Sequence, residues 1–390
     1  MPKPRTRAAK GGAVAAGPAH SIYLIPGFFG FTNLGRLNYF QHVRDLLLAR
    51  LQEIGVDARV HVVTTHPTAA LPKRAVRVLE AIARTSGRAG PIHLIGHSTG
   101  GLDARLLVSP GVTLPTDLDV ERHAARLRTV VTVATPHQGS PLASFLATIR
   151  GQRLLALLSV GTAYVLRFGR LPLAVVGQLA TAFAPGDGLP LQRTLLDGIV
   201  SQLLAGFSVG RRRAVSRLLA DVAGDQSLLV ELMPEAMQLF AATVRARPGV
   251  RYGSVVTRAA RPGMRSALAT GLDPGAQGMH AVYQALYRIV AQPSRIEPAR
   301  LTPAQEKALR RAYGATPAPS ANDGIVPTRS QVFGEVICAL EADHLDVIGH
   351  FSDAAADPPH YDWLTTGSGF DRPQFESAWR SVVAFLLSRG

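Results

Sequence analysis

The sequence has a single cysteine, and this scarcity limits both its disulfide chemistry and its metal chemistry. One thiol cannot form an internal disulfide framework or supply a thiolate metal cluster. The residue, Cys338, lies in the apolar run VICAL, which predicts an inert side chain in a hydrophobic core. Cysteine pairing therefore carries no information about the compartment of the protein.

The chain also lacks an apolar run long enough to cross a bilayer, which requires about 20 residues. Its most apolar region, residues 154–183, contains two runs of thirteen residues separated by Arg167 and Arg170. Joining the runs into one span would place both arginines at mid-depth, so a transmembrane hairpin is disfavoured. The region is instead expected to form core helices or a hydrophobic cap.

No continuous apolar stretch follows the basic residues near the start of the sequence, so the pattern of a signal peptide is incomplete. Residues 1–20 are predicted to form a disordered basic tail. The expected location is the cytoplasm, or outside the cell if a leader has been removed.

Lysine is rare, and the formal net charge of +15 is carried almost entirely by arginine. The arginines are scattered rather than blocked, and no aromatic residues are interleaved with them. This pattern disfavours a nucleic-acid surface, although it is compatible with binding to anionic lipid surfaces.

The order of apolar patterns along the 390 residues indicates an α/β fold with a long insertion. Residues 21–140 alternate strand-like runs with helical periods, which predicts βαβ units and a mainly parallel sheet flanked by helices. Strand patterns resume within residues 250–390, which are assigned to the same core. Residues 141–249 lack a strand pattern and are predicted to form a helical cap.

Two pentapeptides match G-x-S-x-G, and their surroundings distinguish them. Ser98 follows the strand-like run PIHLI and precedes a helical pattern, so it fits a strand-turn-helix nucleophile elbow. Ser208 lies in a stretch that reads as helical on both sides, so this second match is interpreted as coincidence. Ser98 is therefore the predicted nucleophile.

A serine nucleophile requires a histidine base, and three histidines follow the later strands. His344 lies directly beyond the last predicted strand, whereas His350 is a turn further along and His360 is in a proline-rich loop. The carboxyl ends of parallel strands share one rim of a sheet. His344 is therefore the predicted base.

The carboxylate that orients the base is assigned to the turn NDGIVP. Asp323 of this turn follows the strand-like run VRYGSVVT in chain order, as the nucleophile-acid-base order requires. Asp343 and Asp346 flank His344 and are alternatives for the same role.

The oxyanion formed during acyl transfer requires two backbone N–H donors. Thr99, directly after the nucleophile, is predicted to supply one, and Phe28 in the loop IPGFFGF the other. Phe28, Phe29 and Phe31 are predicted to wall an apolar acyl pocket. His97 is predicted to contact the substrate beside the nucleophile.

Four of these stretches together resemble the bacterial true lipases and their esterase relatives among the α/β-hydrolases. GHSTGGLDAR is similar to the elbow of those enzymes and VATPHQGS to the stretch after their next strand. DGIVP is similar to their acid turn and DHLD to their histidine turn. The resemblance covers roughly residues 21–145 and 250–350, with the motifs in the family order.

The resemblance implies an α/β-hydrolase fold and hydrolysis of carboxylic esters. It also implies a triad of Ser98, Asp323 and His344, with oxyanion donors at Phe28 and Thr99. No cofactor is expected.

Two features depart from the family pattern. The lipases carry His-Gly in the oxyanion loop, whereas this chain has Pro26-Gly27. Many also hold a structural calcium, one ligand of which would match Asp346, but His350 stands where a glutamine is expected. No metal is predicted, since no further upstream acid is evident and a zinc site on His344 would consume the base. His137, in TPHQGS, is expected near the site without an assigned role.

The predicted function is hydrolysis of hydrophobic acyl esters by a serine nucleophile, including esters at lipid or polymer surfaces. An acyltransferase that uses the same triad is a second reading. A non-catalytic module that binds membranes through the apolar segment is a third. Acyl-chain preference and oligomeric state are not predicted.

Overall fold

A six-stranded parallel sheet with helices on both faces forms the centre of the protein. The computed structural model describes residues 19–28, 39, 40, 42–148, 155, 157–161, 164, 171–182, 193–293, 300–353, 355, 362 and 364–388. The strands lie in the order β2-β1-β3-β4-β5-β6. Their bounds are His20–Ile25 (β1), Ala58–Val62 (β2), Ile92–His97 (β3), Leu127–Val133 (β4), Arg251–Arg258 (β5) and Glu335–Glu341 (β6).

The helices follow the strands in the order expected of βαβ units. Before β5 they span Val43–Glu53, Leu71–Thr85, Thr99–Val108, Val120–Ala124, Pro141–Leu146, Leu173–Ala182, Arg193–Ala205, Val209–Gly224, Ser227–Glu231 and Pro234–Thr243. After β5 they span Met264–Ala269, Pro274–Val290, Pro303–Tyr313 and Arg372–Leu387, with short 3-10 helices at Thr328–Gln331 and Asp346–Ile348.

Alternation along β1 divides the core between the two faces of the sheet. Tyr23 and Ile25 pack with the helices Leu71–Thr85 and Thr99–Val108, whereas Ile22 and Leu24 face the opposite side. Successive side chains of a strand point to opposite faces, so a run that is buried throughout must be covered on both. The sequence SIYLI therefore requires two helical layers.

The C-terminal helix Arg372–Leu387 closes the second face. Phe375 and Trp379 are buried in the same apolar cluster as β1, and the Trp379 indole N–H donates to the Val347 carbonyl at 2.9 Å. Cys338 packs against the same cluster while remaining half-buried.

The segment between β4 and β5 is helical where the structure describes it. Most of its buried apolar residues form a third cluster, which also takes in Tyr283 and Leu286 of helix Pro274–Val290, while others such as Leu228 and Met237 pack on the first face of the sheet. The division into a core and a cap at 141–249 stays a prediction, because this cluster includes a helix from beyond that range. Within the described ranges, no helix combines the length and apolarity needed to cross a membrane.

Several sequence predictions concern residues that the structure does not describe. These are Phe29, Phe31, His360, the Arg167–Arg170 break and all but the last two residues of the 1–20 tail. The helix predicted to follow β1 is described from Val43 to Glu53. The strand and helix on either side of Ser98 form as predicted.

Candidate active site

Ser98 occupies a strained turn between β3 and the helix Thr99–Val108. Its backbone has φ 54° and ψ −129°, a conformation that costs a non-glycine residue on the order of 1–3 kcal/mol. The turn closes because glycines surround it: a Cβ on Gly96 would lie 2.3 Å from the Gly100 backbone, and one on Gly100 would lie 2.2 Å from the Ile25 carbonyl oxygen. The geometry is that of a nucleophile elbow.

His344 lies at the same rim of the sheet and is paired with Asp323. The Nδ1 atom of His344 is 2.8 Å from Oδ2 of Asp323, and the His344 backbone N–H donates to the Asp323 carbonyl. A carboxylate only accepts, so Nδ1 carries the proton and Nε2 is left as the basic nitrogen. Asp323, rather than Asp343 or Asp346, is therefore the partner of the histidine.

Asp323 is fully buried, yet its oxygens are surrounded by donors. Oδ2 accepts from the Thr257 hydroxyl at 2.8 Å and from the Gln331 amide at 3.1 Å. Oδ1 accepts from the backbone N–H groups of Ile325 and Val326 at 3.0 and 2.7 Å. Both oxygens of this buried carboxylate therefore have hydrogen-bond partners, which hold it in place beside His344.

Ser98 and His344 both line one apolar cavity of about 130 Å³. In this structure no hydrogen bond joins the two described side chains; such bonds often tighten only when substrate is bound. Aliphatic side chains form most of the remaining wall, among them Leu142, Leu146, Leu158, Leu229, Leu232, Leu286, Ile325 and Leu364. The cavity therefore places a hydroxyl and an imidazole beside space for an apolar chain.

The loop before Phe28 is fixed from beneath by a buried arginine. Arg74 donates to the Pro26 carbonyl at 2.8 Å and to the Thr99 hydroxyl at 3.3 Å, and it pairs with Asp103 at 2.8 Å. Burial raises the pKa of Asp103 to about 6, while Arg74 opposes this rise. Arg74 thus ties the loop to the start of the helix that follows Ser98.

Both predicted oxyanion donors adjoin the cavity. Phe28 and Thr99 are among its lining residues, and Thr99 is the first residue of its helix. N–H groups in the first turn of a helix have no partner within that helix. Their use as an oxyanion hole remains a prediction.

His97 is not among the described residues that line this cavity, contrary to its predicted role in substrate contact. It is fully buried behind the site, with Nδ1 2.7 Å from the Tyr39 hydroxyl and Nε2 2.8 Å from the His344 carbonyl oxygen. Both ring nitrogens of His97 thus contact protein groups.

The structure also describes the surroundings of His137 and Ser208. His137 accepts from Arg105 at 3.0 Å and lies 3.2 Å from the Thr132 hydroxyl, while its neighbours Pro136 and Ser140 reach the cavity. Burial holds the pKa of His137 well below its usual value. Ser208 is exposed at the start of helix Val209–Gly224, far from any strand-turn-helix element in the chain.

Three carboxylates, Asp343, Asp346 and Asp362, lie beside the histidine turn with ligand atoms within 4.8 Å of one another. Burial raises the pKa of each, that of Asp346 to about 7. The Asp343 Oδ2 atom is buried without a hydrogen-bond partner. Oxygen donors grouped in this way fit a calcium ion, which the three carboxylates would hold.

The sequence indicated only Asp346 for such an ion, and the expectation of no metal stays a prediction. His350 does not join the three carboxylates; its Nε2 lies 2.8 Å from the Tyr39 carbonyl oxygen. The two carboxylates that lie beside Asp346 are those of Asp343 and Asp362.

Sequence reasoning missed Arg74, Tyr39, Thr257 and Gln331. The sequence could have indicated that Arg74 is buried, because it lies on the apolar face of its helix together with Leu71 and Val78. No local pattern indicated the other three, because their contacts with Asp323, Gly27 and His97 depend on how the strands and turns come together.

Comparison with solved structures identifies the arrangement of strands and helices. Lipase 1 from Pelosinus fermentans superimposes with a TM-score of 0.52 at 17% identity, over 94% of this chain and 98% of that one. The fold is that of the α/β-hydrolases. Staphylococcus hyicus lipase gives a TM-score of 0.52 at 15% identity over 97% and 98% of the two chains. EstA from Clostridium botulinum gives 0.50 at 19% identity over 92% and 88%.

No family model matches the chain, and no curated protein sequence matches it significantly. The similarity is therefore one of α/β-hydrolase architecture.

Proposed function

We propose that this protein hydrolyses carboxylic esters with hydrophobic acyl groups, through Ser98, His344 and Asp323. The observation that carries the proposal is that a strained elbow serine and an Asp-paired histidine line the same apolar cavity. Neither feature alone would suffice, because buried His-Asp pairs and glycine-rich turns also occur in structural roles.

In the first half-reaction His344 Nε2 takes the proton of the Ser98 hydroxyl as Oγ attacks the ester carbonyl carbon. The N–H groups of Thr99 and Phe28 stabilise the resulting oxyanion. The carbon–oxygen bond to the alcohol then breaks, and His344 returns the proton to the departing oxygen. The acyl group stays on Ser98.

In the second half-reaction water attacks the acyl-enzyme while His344 accepts its proton. The bond to Ser98 Oγ breaks, the proton returns to the serine, and the carboxylic acid leaves. Asp323 stabilises the imidazolium in both steps and holds its tautomer.

The substrate range proposed follows from the cavity wall. Its aliphatic side chains favour acyl chains over polar groups, and residues from the helical segment between β4 and β5 supply part of it. Each buried methylene contributes about 0.8 kcal/mol, or roughly fourfold in binding. We include esters at lipid or polyester surfaces in the proposed range.

The experiment is a panel of 4-nitrophenyl esters of increasing acyl length, with triglyceride and polyester emulsions alongside. We expect kcat/KM to rise with acyl length until the cavity is filled. Ser98→Ala should lower kcat by about a million-fold, because its loss disables the whole triad.

The matched control is Ser208→Ala, which removes the exposed serine of the other G-x-S-x-G match and should leave the rates unchanged. A fluorophosphonate should label the wild type and Ser208→Ala but not Ser98→Ala. If folded wild-type protein hydrolyses no ester, the proposal is wrong.

A further inference from the structure

Two buried side chains beside the site have no part in the mechanism above, and together they link its two halves. The Tyr39 hydroxyl lies 2.9 Å from the Gly27 backbone nitrogen and 2.7 Å from His97 Nδ1. His97 Nε2 lies 2.8 Å from the backbone oxygen of His344. A continuous chain of hydrogen bonds therefore runs from the oxyanion loop to the catalytic histidine.

Both ends of this chain are backbone groups, and they fix the direction of every hydrogen bond in it. The His344 carbonyl can only accept, so His97 Nε2 carries the proton and Nδ1 is an acceptor. The Tyr39 hydroxyl therefore donates to Nδ1, and its oxygen accepts from the Gly27 N–H. Only one arrangement satisfies all four groups.

The residues at the two ends are those whose placement decides the reaction. Gly27 precedes the proposed oxyanion donor Phe28, and a Cβ on it would lie 2.5 Å from the Ser98 Cβ and 2.9 Å from the Tyr39 hydroxyl. His344 is the base, and its ring centroid lies 4.7 Å from that of His97. A shift of about 1 Å in either group would be costly to catalysis.

We propose that Tyr39 and His97 are positioning residues that hold the oxyanion loop and the catalytic base at a fixed separation. The inference rests on the proposed ester hydrolysis. Tyr39 is itself held by the segment that follows the histidine turn, because His350 donates to its carbonyl at 2.8 Å. The whole link is buried, and such hydrogen bonds reinforce one another where water is excluded.

The charge state of His97 is consistent with this role. Burial holds the pKa of His97 well below its usual value, and the nearby His344 lowers it further. A neutral ring can accept from Tyr39 at Nδ1, whereas a protonated ring cannot.

The link also bears on the departure from the lipase pattern in the oxyanion loop. Pro26 stands where those enzymes carry histidine, and proline has no backbone N–H. The next residue, Gly27, does have a backbone N–H, and this group donates to the Tyr39 hydroxyl.

The first test compares Tyr39→Phe with Tyr23→Phe on a soluble short-chain 4-nitrophenyl ester. Tyr23 is another buried tyrosine, on β1, and its hydroxyl contacts Thr85 rather than a residue that lines the cavity. Losing one direct oxyanion donor costs about 10²–10³ in kcat, so an indirect loss should cost about 10–100-fold. We expect this fall in kcat for Tyr39→Phe, with KM within twofold, and no fall for Tyr23→Phe.

A second pair of variants tests the His97 end. His97→Gln keeps an N–H that can donate to the His344 carbonyl, whereas His97→Leu does not. We expect kcat to fall in the order wild type, His97→Gln, His97→Leu. Affinity for a trifluoromethyl ketone, which forms an oxyanion on Ser98, should fall in the same order, while that for the matched methyl ketone should not.

The inference is overturned if wild type hydrolyses the ester while Tyr39→Phe keeps its kcat within twofold. It is also overturned if both tyrosine variants lose kcat equally, or if Tm falls while the ketone affinity ratio stays unchanged. An inactive wild type would instead refute the proposed function. Should His97→Leu fail to fold, the tyrosine pair still decides the question.

Discussion

Two groups of buried carboxylates lie beside the same histidine, and their surroundings differ sharply. Asp323 accepts hydrogen bonds from side chains and backbone N–H groups on all sides. Asp343, Asp346 and Asp362 each accept from a backbone N–H as well, but their ligand atoms lie within 4.8 Å of one another and the Asp343 Oδ2 atom has no partner. Burial raises the pKa of these three acids, and the neighbouring carboxylates raise the pKa of Asp343 and Asp362 further.

The largest difference in kcat between the two groups should appear when one carboxylate is replaced by a carboxamide. Asp323→Asn places an NH₂ group among donors and removes the charge that stabilises the His344 imidazolium. We expect kcat to fall by about 10⁴-fold. Steady-state kinetics on the best 4-nitrophenyl ester gives the measurement.

A matched control for this change is Asp343→Asn, which alters a carboxylate next to the base but outside the pair. Its kcat should remain within a few fold of wild type. Equal losses in the two variants would mean that the carboxylates are not functionally distinct.

The second expectation concerns a calcium ion bound by Asp343, Asp346 and Asp362. Calcium bound only to the folded protein should stabilise it by about 2.7 kcal/mol at a concentration one hundred times its dissociation constant. Thermal unfolding with and without calcium, and after chelation, measures this shift. Asp343→Asn should weaken the response, and an unchanged wild-type Tm across the titration would argue against a site.

The third expectation concerns the same variant without any divalent cation. Asp343→Asn removes a carboxylate from a crowded group, and its amide can donate to the neighbouring oxygens. We expect Tm to rise by roughly 1–3 °C, since about 1 kcal/mol corresponds to a few degrees in domains of moderate size. A fall in Tm in chelator would show that the three acids are already satisfied.

The smallest expected effect is a change with pH in the Tm difference between Asp346→Asn and wild type. Burial raises the pKa of Asp346 to about 7, whereas an unfolded aspartate titrates near about 4. The folded chain thus retains a proton that the unfolded chain releases, so this group lowers stability as pH rises from about 4 to about 7. The Tm of Asp346→Asn relative to wild type, in chelator, should increase across that range. A constant difference would contradict the raised pKa.

The pairing of carboxylates shows where sequence reasoning stopped. Asp323 was preferred because acid turns follow late strands in this architecture, and its 2.8 Å contact with His344 fits that order. The sequence leaves Asp343 and Asp346 as alternatives, because adjacency along the chain gives no information on side-chain direction. The structure turns both toward Asp362, sixteen residues beyond Asp346 in the chain.

A similar contrast separates Ser98 from His97. Glycines at fixed spacing and a strand before them sufficed to predict a strained turn at Ser98. The hydrogen bonds of His97 with Tyr39 and with the His344 backbone follow from no local pattern.

The sequence by itself determined the alternation of strands and helices, the elbow at Ser98 and the order of nucleophile, acid and base. These follow from short-range causes: the period of apolar residues, the steric freedom of glycine and the order of the chain. Tertiary structure alone decided which donors surround Asp323, which acids face one another and how Tyr39 links Gly27 to His97. Several of these contacts join residues far apart in the chain, such as Thr257 with Asp323 and Tyr39 with His97, and their geometry is set only when the helices pack on the sheet.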